Sequence, residues 1–234
     1  LEQVKAELAD RQASAAAGQG GDGAAEGGAA EATGQAGPSS GSGSDGPQAS
    51  ASGSAPIDRH TLPDGFAYPV MAKAASGGYD GRGTAVLHND DDLDELLGRV
   101  DPASWIVEEF VNFEQELAVV AARDAEGEVV VFPLVQTHQH GQVCDWVLAP
   151  VEASHALEQA VRNIAASLLT SLQYVGVLAI EFFYGRGGLL INELAPRTHN
   201  SGHYSIEACN LSQFEQQLRV VAGQTALEPD LVVP

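Results

Sequence analysis

Hydrophobic positions recur with a helical period in one long segment of the chain. Between residues 157 and 172 the apolar side chains are three or four residues apart, which predicts an amphipathic helix with one buried face. The members of this face are Leu157, Val161, Ile164, Ala165, Leu168, Leu169 and Leu172. Two shorter helices are expected, one over residues 92–100, where Asp90 to Asp92 favour a helix N-terminus, and one over residues 213–221.

Shorter apolar or alternating runs, each bounded by turn residues, predict β-strands in the chain after Phe66. They cover residues 68–74, 84–88, 105–110, 116–123, 128–136, 142–148, 176–184 and 189–195. Because these strands do not alternate regularly with helices, parallel βαβ units are not expected. The predicted fold class is α+β with mostly antiparallel sheets.

The first 65 residues have a different composition. Residues 1–12 have apolar positions that suit a short helix, whereas residues 13–56 are almost wholly Ala, Gly, Ser, Gln, Pro and acidic residues. Such a segment buries too little apolar surface to offset the entropy lost on ordering it, so we expect a disordered insert. The expected organisation is a helix and insert over residues 1–65 and one folded domain over residues 66–234.

Charge and cysteine content restrict the function classes. The chain has 32 acidic and 11 basic residues and a formal net charge of -21. Nucleic acids and anionic membranes attract Lys-rich and Arg-rich proteins, so neither is expected as a partner. The two cysteines, Cys144 and Cys209, provide no disulfide framework, and without a signal segment or a long apolar run a cytoplasmic location is expected. The chain begins at Leu1 and its single methionine is Met71, so a longer parent protein is expected.

A Gly-rich motif follows one of only two lysines. Lys73 lies near the end of a predicted strand, and Gly-Gly-Tyr-Asp-Gly-Arg-Gly occupies residues 77–83 before the next strand. A dinucleotide-binding fingerprint would open a helix instead, and the Gly-Lys-Ser/Thr phosphate loop is absent from the sequence. Two interpretations remain. One is a flexible hairpin turn; the other is a flap whose backbone N–H groups approach phosphate oxygens, with Lys73 and Arg82 supplying positive charge.

Two glutamates, Glu181 and Glu193, are each the lone charge in an apolar predicted strand. A hairpin around Gly187 would place them opposite one another, to within about one residue of register. Facing carboxylates need a proton or a cation between them, and oxygen ligands favour Mg2+, whose coordination shell is completed by phosphate and water. Asn192 offers a further oxygen. The alternative is an edge hairpin with two solvated glutamates.

The segment after Glu193 is rich in polar side chains. Arg197, His199 and Asn200 follow it closely, and a guanidinium beside hydrogen-bond donors suits a small oxyanion such as bicarbonate or phosphate. An ordinary polar loop is one alternative. A zinc site is another, with His199, His203, His138 and His140 as candidate ligands. The absence of a cysteine ligand or a helical His-Glu motif argues against zinc.

A further apolar strand, residues 105–111, ends in carboxylates and leads into a bend. Backbone groups there would suit an adenine edge, and Glu116 would suit ribose hydroxyls. The residues alone do not distinguish this arrangement from an ordinary strand.

Taken together, these motifs resemble those of the 5-(carboxyamino)imidazole ribonucleotide synthases, ATP-grasp enzymes of de novo purine biosynthesis. The resemblance extends from about Tyr68 to about Val221. It rests on Lys73 with GGYDGRG, and on the segments EEFV, IEFF and INELAPRTHNSGH. It implies an ATP-grasp fold with a small subdomain over about 66–111 and a large one over about 112–234. The family's flanking amino- and carboxy-terminal domains are expected to be missing from this chain.

The resemblance also assigns roles by position. The residues implied to contact ATP are Lys73, Gly78, Tyr79, Asp80, Gly81, Arg82, Gly83, Thr84, Glu108, Glu109, Phe110, Val111, Glu116, His138, Asn192 and Glu193. Glu181 and Glu193 match the family's Mg2+ ligands. The residues implied in catalysis are Arg197, His199, Asn200, Arg82 and Tyr79.

The implied reaction is the ATP-dependent carboxylation of 5-aminoimidazole ribonucleotide by bicarbonate. It passes through carboxyphosphate and gives 5-(carboxyamino)imidazole ribonucleotide, ADP and phosphate. The implied cofactors and partners are ATP, Mg2+, bicarbonate and the ribonucleotide, and a homodimer of the full-length protein is left open. The alternatives are another ATP-grasp carboxylase or ligase, and a nucleotide-binding fragment that does not turn over.

Overall fold

Two β-sheets and four α-helices make up the part of the chain that the computed structural model describes, which is residues 55–56, 61–77, 83–141 and 143–233. These residues fall within one unit that spans Ser54–Pro234. The helix predicted over residues 1–12 and most of the insert predicted over residues 13–56 lie outside the described residues.

The observed elements confirm the α+β class. The strands are β1 (Ala55–Pro56), β2 (Val70–Ala74), β3 (Thr84–Leu87), β4 (Trp105–Glu109), β5 (Gln115–Arg123), β6 (Val129–Val131), β7 (Val135–His140), β8 (Val143–Leu148), β9 (Gly176–Gly185) and β10 (Gly188–Ala195). The helices are α1 (Asp90–Leu97), α2 (His155–Ser171), α3 (Ser205–Ala208) and α4 (Gln213–Val221), with short 3-10 helices at Pro102–Ser104 and Asn200–Gly202. None of the described helices is long and apolar enough to cross a membrane.

The smaller sheet has the antiparallel strand order β1-β4-β2-β3. Helix α1 closes one side of it and begins where the side chain of Asn89 accepts a hydrogen bond from the backbone N–H of Asp92. The core beneath α1 consists of Val70, Ala72, Leu87, Leu93, Leu96 and Val107. Ala55–Pro56, which end the predicted insert, instead form a short strand that pairs with Ile106 and Val107 of β4.

The larger sheet has the order β10-β9-β5-β7-β8, with β6 paired to the far end of β5. Strand β5 lies in the middle of the sheet, and residues 117–122 are all buried, which explains the absence of alternation in that run. Helices α2 and α4 both pack on β5, and α4 also packs on β9. Four residues of the predicted α2 face are buried: Val161, Ala165, Leu168 and Leu169.

The prediction of a single strand over residues 128–136 is wrong. The structure has two strands there, β6 and β7, separated by residues 132–134. Pro133 has no N–H to donate, so a continuous ladder is interrupted at this point. Its carbonyl oxygen instead accepts a hydrogen bond from the hydroxyl of Tyr204 at 3.0 Å. Both halves still pair with β5, at different positions along it.

Candidate functional site

The β9–β10 hairpin brings the two predicted glutamates together. The ladder is regular from the turn up to Ile191, which pairs with Phe182, and an unbroken continuation would place Asn192 opposite Glu181. The register shifts by one residue between Ile191 and Glu193, so that Glu193 is the Cα partner of Glu181. The predicted opposition of the two glutamates is therefore confirmed. It depends on a bulge at Asn192, because without it Glu193 would face the other side of the sheet.

Lys73 connects the two sheets. Its Nζ atom lies 2.6 Å from Oε2 of Glu108, on the neighbouring strand of the smaller sheet. The same atom donates a hydrogen bond of 3.3 Å to Oδ1 of Asn192, in the larger sheet. The ammonium group therefore lies at the junction of the sheets, beside the bulge that orients Glu193.

Glu181 is surrounded by more negative than positive charge. Burial, followed by the carboxylates of Glu193 and Glu116, raises its pKa to about 7, and Lys73 and Arg197 oppose this shift. Its side chain is only 18% exposed, so water screens these interactions weakly. Its three carboxylates, Glu181, Glu193 and Glu116, outnumber the cations Lys73 and Arg197, so the cluster suits a bound cation.

His199 faces Glu181 from the loop that follows β10. Its Nε2 atom lies 3.7 Å from Oε1 of Glu181. Burial, followed by the charges of Arg197 and His203, lowers the pKa of His199 to about 4. Between pH 4 and 7 the imidazole and the Glu181 carboxyl are thus both mainly neutral, and their contact is a polar one and not an ion pair. The Nδ1 atom lies 3.0 Å from Oγ of Ser201, which fixes the ring from its other side.

Glu116 and His138 lie on adjacent strands of the larger sheet. Burial raises the pKa of Glu116, while the charge of His138 and a hydrogen bond from the backbone N–H of Gln139 act in the opposite direction. The His138 ring stacks on Trp146, with ring centroids 5.0 Å apart and an angle of 16° between planes. Since Glu116 also acts on Glu181, these residues extend the same cluster.

Other predicted residues lie at the edges of this cluster or outside the described part. Glu109 and Phe110 are exposed and Val111 is half-buried, at the end of β4 and just beyond it. Asn200 is exposed at the start of a 3-10 helix, and Nη1 of Arg197 donates to the carbonyl of Thr198 at 3.0 Å. The predicted flap residues Gly78, Tyr79, Asp80, Gly81 and Arg82 lie outside the described residues.

The strands on either side of the predicted flap are paired close to it. The backbone of Thr84 pairs with that of Lys73 across the β2–β3 ladder. The N–H of Ala74 donates to the carbonyl of Gly83 at 2.7 Å, and Gly83 has φ +83°, a conformation that glycine adopts without strain. The described residues before and after the predicted flap are therefore paired with each other.

The zinc alternative receives no support from the geometry. Within the described ranges, no group of three or more His, Cys, Asp and Glu side chains could hold a metal ion by itself. His203, one of the candidate ligands, stacks on Phe214 with a centroid separation of 5.9 Å. A metal with phosphate oxygens as further ligands needs only the facing pair, Glu181 and Glu193.

Sequence reasoning missed two residues beside this site. Burial, followed by the charges of Glu181 and Glu116, raises the pKa of Cys144, so its thiol is within the electrostatic influence of these glutamates. No sequence signal indicated this, because the placement depends on how β8 pairs with β7. The other residue is Gln213, whose amide contacts the backbone of His199. Its signal was a polar residue at a core position of the amphipathic helix α4.

Comparison with known proteins gives consistent matches. A family model described as the ATP-grasp domain matches residues 57–214. The chain is 50% identical over 165 residues to the N5-carboxyaminoimidazole ribonucleotide synthase of Synechococcus elongatus, covering 69% of this chain and 42% of that protein. It is 36% identical over 167 residues to the enzyme of the same name from Bacillus subtilis, covering 71% of this chain and 44% of that one.

Solved structures show the same similarity. An N5-carboxyaminoimidazole ribonucleotide synthetase in complex with ADP matches with a TM-score of 0.66 and 38% identity, over 70% of this chain and 44% of that one. The Aspergillus clavatus N5-carboxyaminoimidazole synthase in complex with ADP and 5-aminoimidazole ribonucleotide matches with a TM-score of 0.67 and 29% identity, over 75% of this chain and 47% of that one. The chain thus spans less than half the length of each of these relatives.

Proposed function

The chain belongs to the ATP-grasp family, and from that premise we propose that it is the ATP-binding core of a ligase that carboxylates 5-aminoimidazole ribonucleotide with bicarbonate. The observation that carries the proposal is the placement of Lys73 at the sheet junction, beside the facing Glu181 and Glu193. The identity of 36–50% to N5-carboxyaminoimidazole ribonucleotide synthases supports this choice of substrate over those of other ATP-grasp ligases.

The charges of the cluster support binding of ATP with Mg2+. The ammonium of Lys73, which contacts Glu108 and Asn192, places a positive charge at the junction that suits a phosphate oxygen. Glu181, Glu193 and the amide oxygen of Asn192 are suitable Mg2+ ligands. The residues fit this ion, because burial and then the carboxylates of Glu193 and Glu116 raise the pKa of Glu181, and a bound divalent cation would offset these effects. When bound, Mg2+ supplies charge neutralisation and orientation to the phosphoryl group being transferred.

We place bicarbonate in the loop after β10. Arg197 lies close enough to shift the pKa of both Glu181 and His199, so its positive charge reaches the end of the carboxylate cluster. His199 is neutral at physiological pH and offers a ring N–H, and Asn200 offers an amide. One cation and neutral donors suit a monoanionic substrate and the more highly charged carboxyphosphate formed from it.

The proposed reaction has two steps. A bicarbonate oxygen attacks the γ-phosphorus of ATP, the bond to the bridging oxygen breaks, and ADP leaves. The exocyclic amine of the ribonucleotide then attacks the carboxyl carbon of carboxyphosphate, phosphate leaves, and the amine loses a proton. Exclusion of water from the site protects carboxyphosphate from hydrolysis, which is a role we assign to the flap at residues 78–84. Tyr79 and Arg82 of this flap are proposed to face the ribonucleotide.

The remaining nucleotide contacts are proposed along the strands that flank the junction. Residues 108–111 lead from β4 into the connection between the sheets, where backbone groups would meet the adenine edge. Glu116 is half-buried next to His138, where a carboxylate can accept hydrogen bonds from ribose hydroxyls. Both segments approach the Lys73 cluster, since Glu108 contacts Lys73 and Glu116 acts on Glu181.

Release of ADP tests the proposal. The chain is incubated with MgATP and bicarbonate, with and without 5-aminoimidazole ribonucleotide, and ADP is quantified. The expected result is ADP release that increases with the ribonucleotide and is lost in Glu193→Gln. ADP release that responds to a different acyl acceptor would indicate another ATP-grasp ligase. ATP binding without any ADP release would indicate a nucleotide-binding core that does not turn over.

We further propose that the protein works in the cytoplasm, because purine biosynthesis uses soluble small molecules and both described cysteines are free. A homodimer of the full-length protein stays a prediction. Sedimentation of the full-length protein would test it.

A further inference from the structure

Gln213 is fully buried, and its carboxamide pairs with both backbone polar groups of His199. Oε1 of Gln213 accepts from the N–H of His199 at 2.9 Å, and Nε2 donates to the carbonyl of His199 at 2.7 Å. The side chain has 0% exposure, so no water competes for these bonds. The amide thus acts toward His199 as a neighbouring β-strand would, closing a ring of two hydrogen bonds.

A second link joins the same helix to the same loop. The backbone N–H of Gln213 donates to Oγ of Ser205 at 2.9 Å, and that hydroxyl donates to the carbonyl of Gly202 at 2.5 Å. Gly202 packs directly on the carboxamide, because a Cβ at this position would lie 2.7 Å from both Cδ and Oε1 of Gln213. The loop from His199 to Gly202 is therefore held at both ends by the start of α4.

This arrangement is specific for an amide. A buried polar side chain destabilises the fold unless its donor and acceptor are both satisfied, and an apolar residue would fill a core position of α4 at lower cost. In Gln213 both groups are satisfied by His199 and not by another part of the core. The same residue, His199, presents its ring to Glu181 at 3.7 Å.

We propose that Gln213 is a positioning residue for the proposed carboxylation: it fixes the backbone of His199 and so holds the imidazole in place opposite Glu181. It does not itself contact substrate. The effect of this positioning on catalysis rests on the proposed function. The positioning itself is independent of that function and is measured separately.

The helix offers a matched control. Oε1 of Gln217, one turn further along α4, accepts from the N–H of Val177 at 2.6 Å, at the start of β9. Gln217→Met and Gln213→Met therefore each remove a side-chain amide that bonds backbone, from the same helix, with the same change in shape. Only Gln213→Met removes the bonds to His199.

Amide hydrogen exchange tests whether Gln213 fixes the backbone of His199. In Gln213→Met we expect the His199 amide to exchange about tenfold faster or more, the ratio expected when a buried hydrogen bond is lost. The Val177 amide should exchange as in the wild type. In Gln217→Met the pattern should be reversed. Unchanged exchange at His199 in Gln213→Met overturns the proposal. If that variant does not fold, Gln213→Ala provides the same test, since it also removes the oxygen that accepts from the His199 N–H.

Steady-state kinetics test whether the positioning of His199 affects the proposed reaction. In the ADP-release assay, Gln213→Met should lower kcat or raise the KM for bicarbonate by about tenfold or more, with little change in the KM for ATP. Gln217→Met should leave both KM values near those of the wild type. Equal losses in the two variants would show a purely structural role and overturn the proposal. If the wild type releases no ADP, the proposed function fails, while the exchange comparison still decides whether Gln213 positions His199.

Discussion

Glu181 is the residue on which most charges of the site act. Burial, followed by the charges of Glu193 and Glu116, raises its pKa, and Lys73 and Arg197 only partly oppose this shift. A protein that only needed a stable sheet would gain by placing a neutral residue there, since facing like charges weaken a sheet. This loss of stability is expected if the site binds a cation between the two carboxylates.

Glu193→Gln tests this interpretation. We expect Mg2+-dependent ATP binding to weaken by about tenfold or more, because one of the two proposed carboxylate ligands is lost. The free protein should not be less stable, because a like charge opposite Glu181 is removed. Isothermal titration calorimetry with MgATP measures the first effect and urea unfolding the second. Glu152→Gln, at an exposed position, is the control. Equal affinity in the wild type and Glu193→Gln would refute the metal assignment.

Asp124 is a buried carboxylate with a structural role. Its oxygens accept hydrogen bonds from the backbone N–H groups of Ala226, Glu128 and Glu126, at 2.9–3.0 Å. The bond from Ala226 is the largest of the effects that hold the pKa of Asp124 below its usual range, against the opposing effect of burial. Asp124 thus joins the β5–β6 turn to the segment after α4.

We expect Asp124→Asn to lower the free energy of unfolding by about 2 kcal/mol at pH 7, since an amide cannot accept all of these bonds. Because the folded pKa is depressed, the stabilisation is fully present above the unfolded pKa, near 4, and is lost as pH falls through the folded pKa. The difference between wild type and variant should therefore shrink in urea unfolding at pH 3. A difference independent of pH would contradict an ionised Asp124.

At the scale of elements, the loop after β10 depends on close contact with α4 and β5. A Cβ on Gly202 would lie 2.7 Å from the Gln213 amide and 2.8 Å from Cγ2 of Val120. We expect Gly202→Ala to destabilise the fold by about 1–3 kcal/mol, the usual cost of overpacking. Gly187→Ala is the control, because a Cβ there would meet nothing within 4 Å. Differential scanning calorimetry of both variants measures the effect, and equal melting temperatures would contradict the close contact.

At the scale of the whole molecule, the folded domain begins before the position that composition suggested. The family match starts at residue 57, and Ala55–Pro56 add a strand at the edge of the smaller sheet. The change in composition at Phe66 therefore does not mark the first residue that pairs with a sheet.

Two deletions test where the domain begins. Removing residues 13–53 should leave the melting temperature of the domain nearly unchanged, because this stretch contains no aromatic residue and no Val, Ile, Leu or Met. Extending the deletion through Pro56 should lower it, because β4 loses its β1 neighbour. Circular dichroism melts of both deletions measure this. A large loss in the shorter deletion would show that the Ala/Gly/Ser-rich segment stabilises the domain.

The sequence by itself determined the class of the fold and the position of most elements. Periodicity located α2, and α4 was predicted with the bounds that it has, because an amphipathic face is a local property of the chain. The motifs that resemble a ligase family predicted the ATP-grasp fold, which the family match confirms. The residues that the resemblance implies near ATP stay a prediction.

Only the tertiary structure decided how these residues meet. The bulge at Asn192, the bridge from Lys73 to Asn192 and the amide of Gln213 behind His199 all involve residues far apart in sequence or a choice of register. A strand pattern repeats every two residues, so it does not reveal where a bulge lies, and a glutamine does not reveal its partner. Both are set by packing between elements, which has no local signal in the chain.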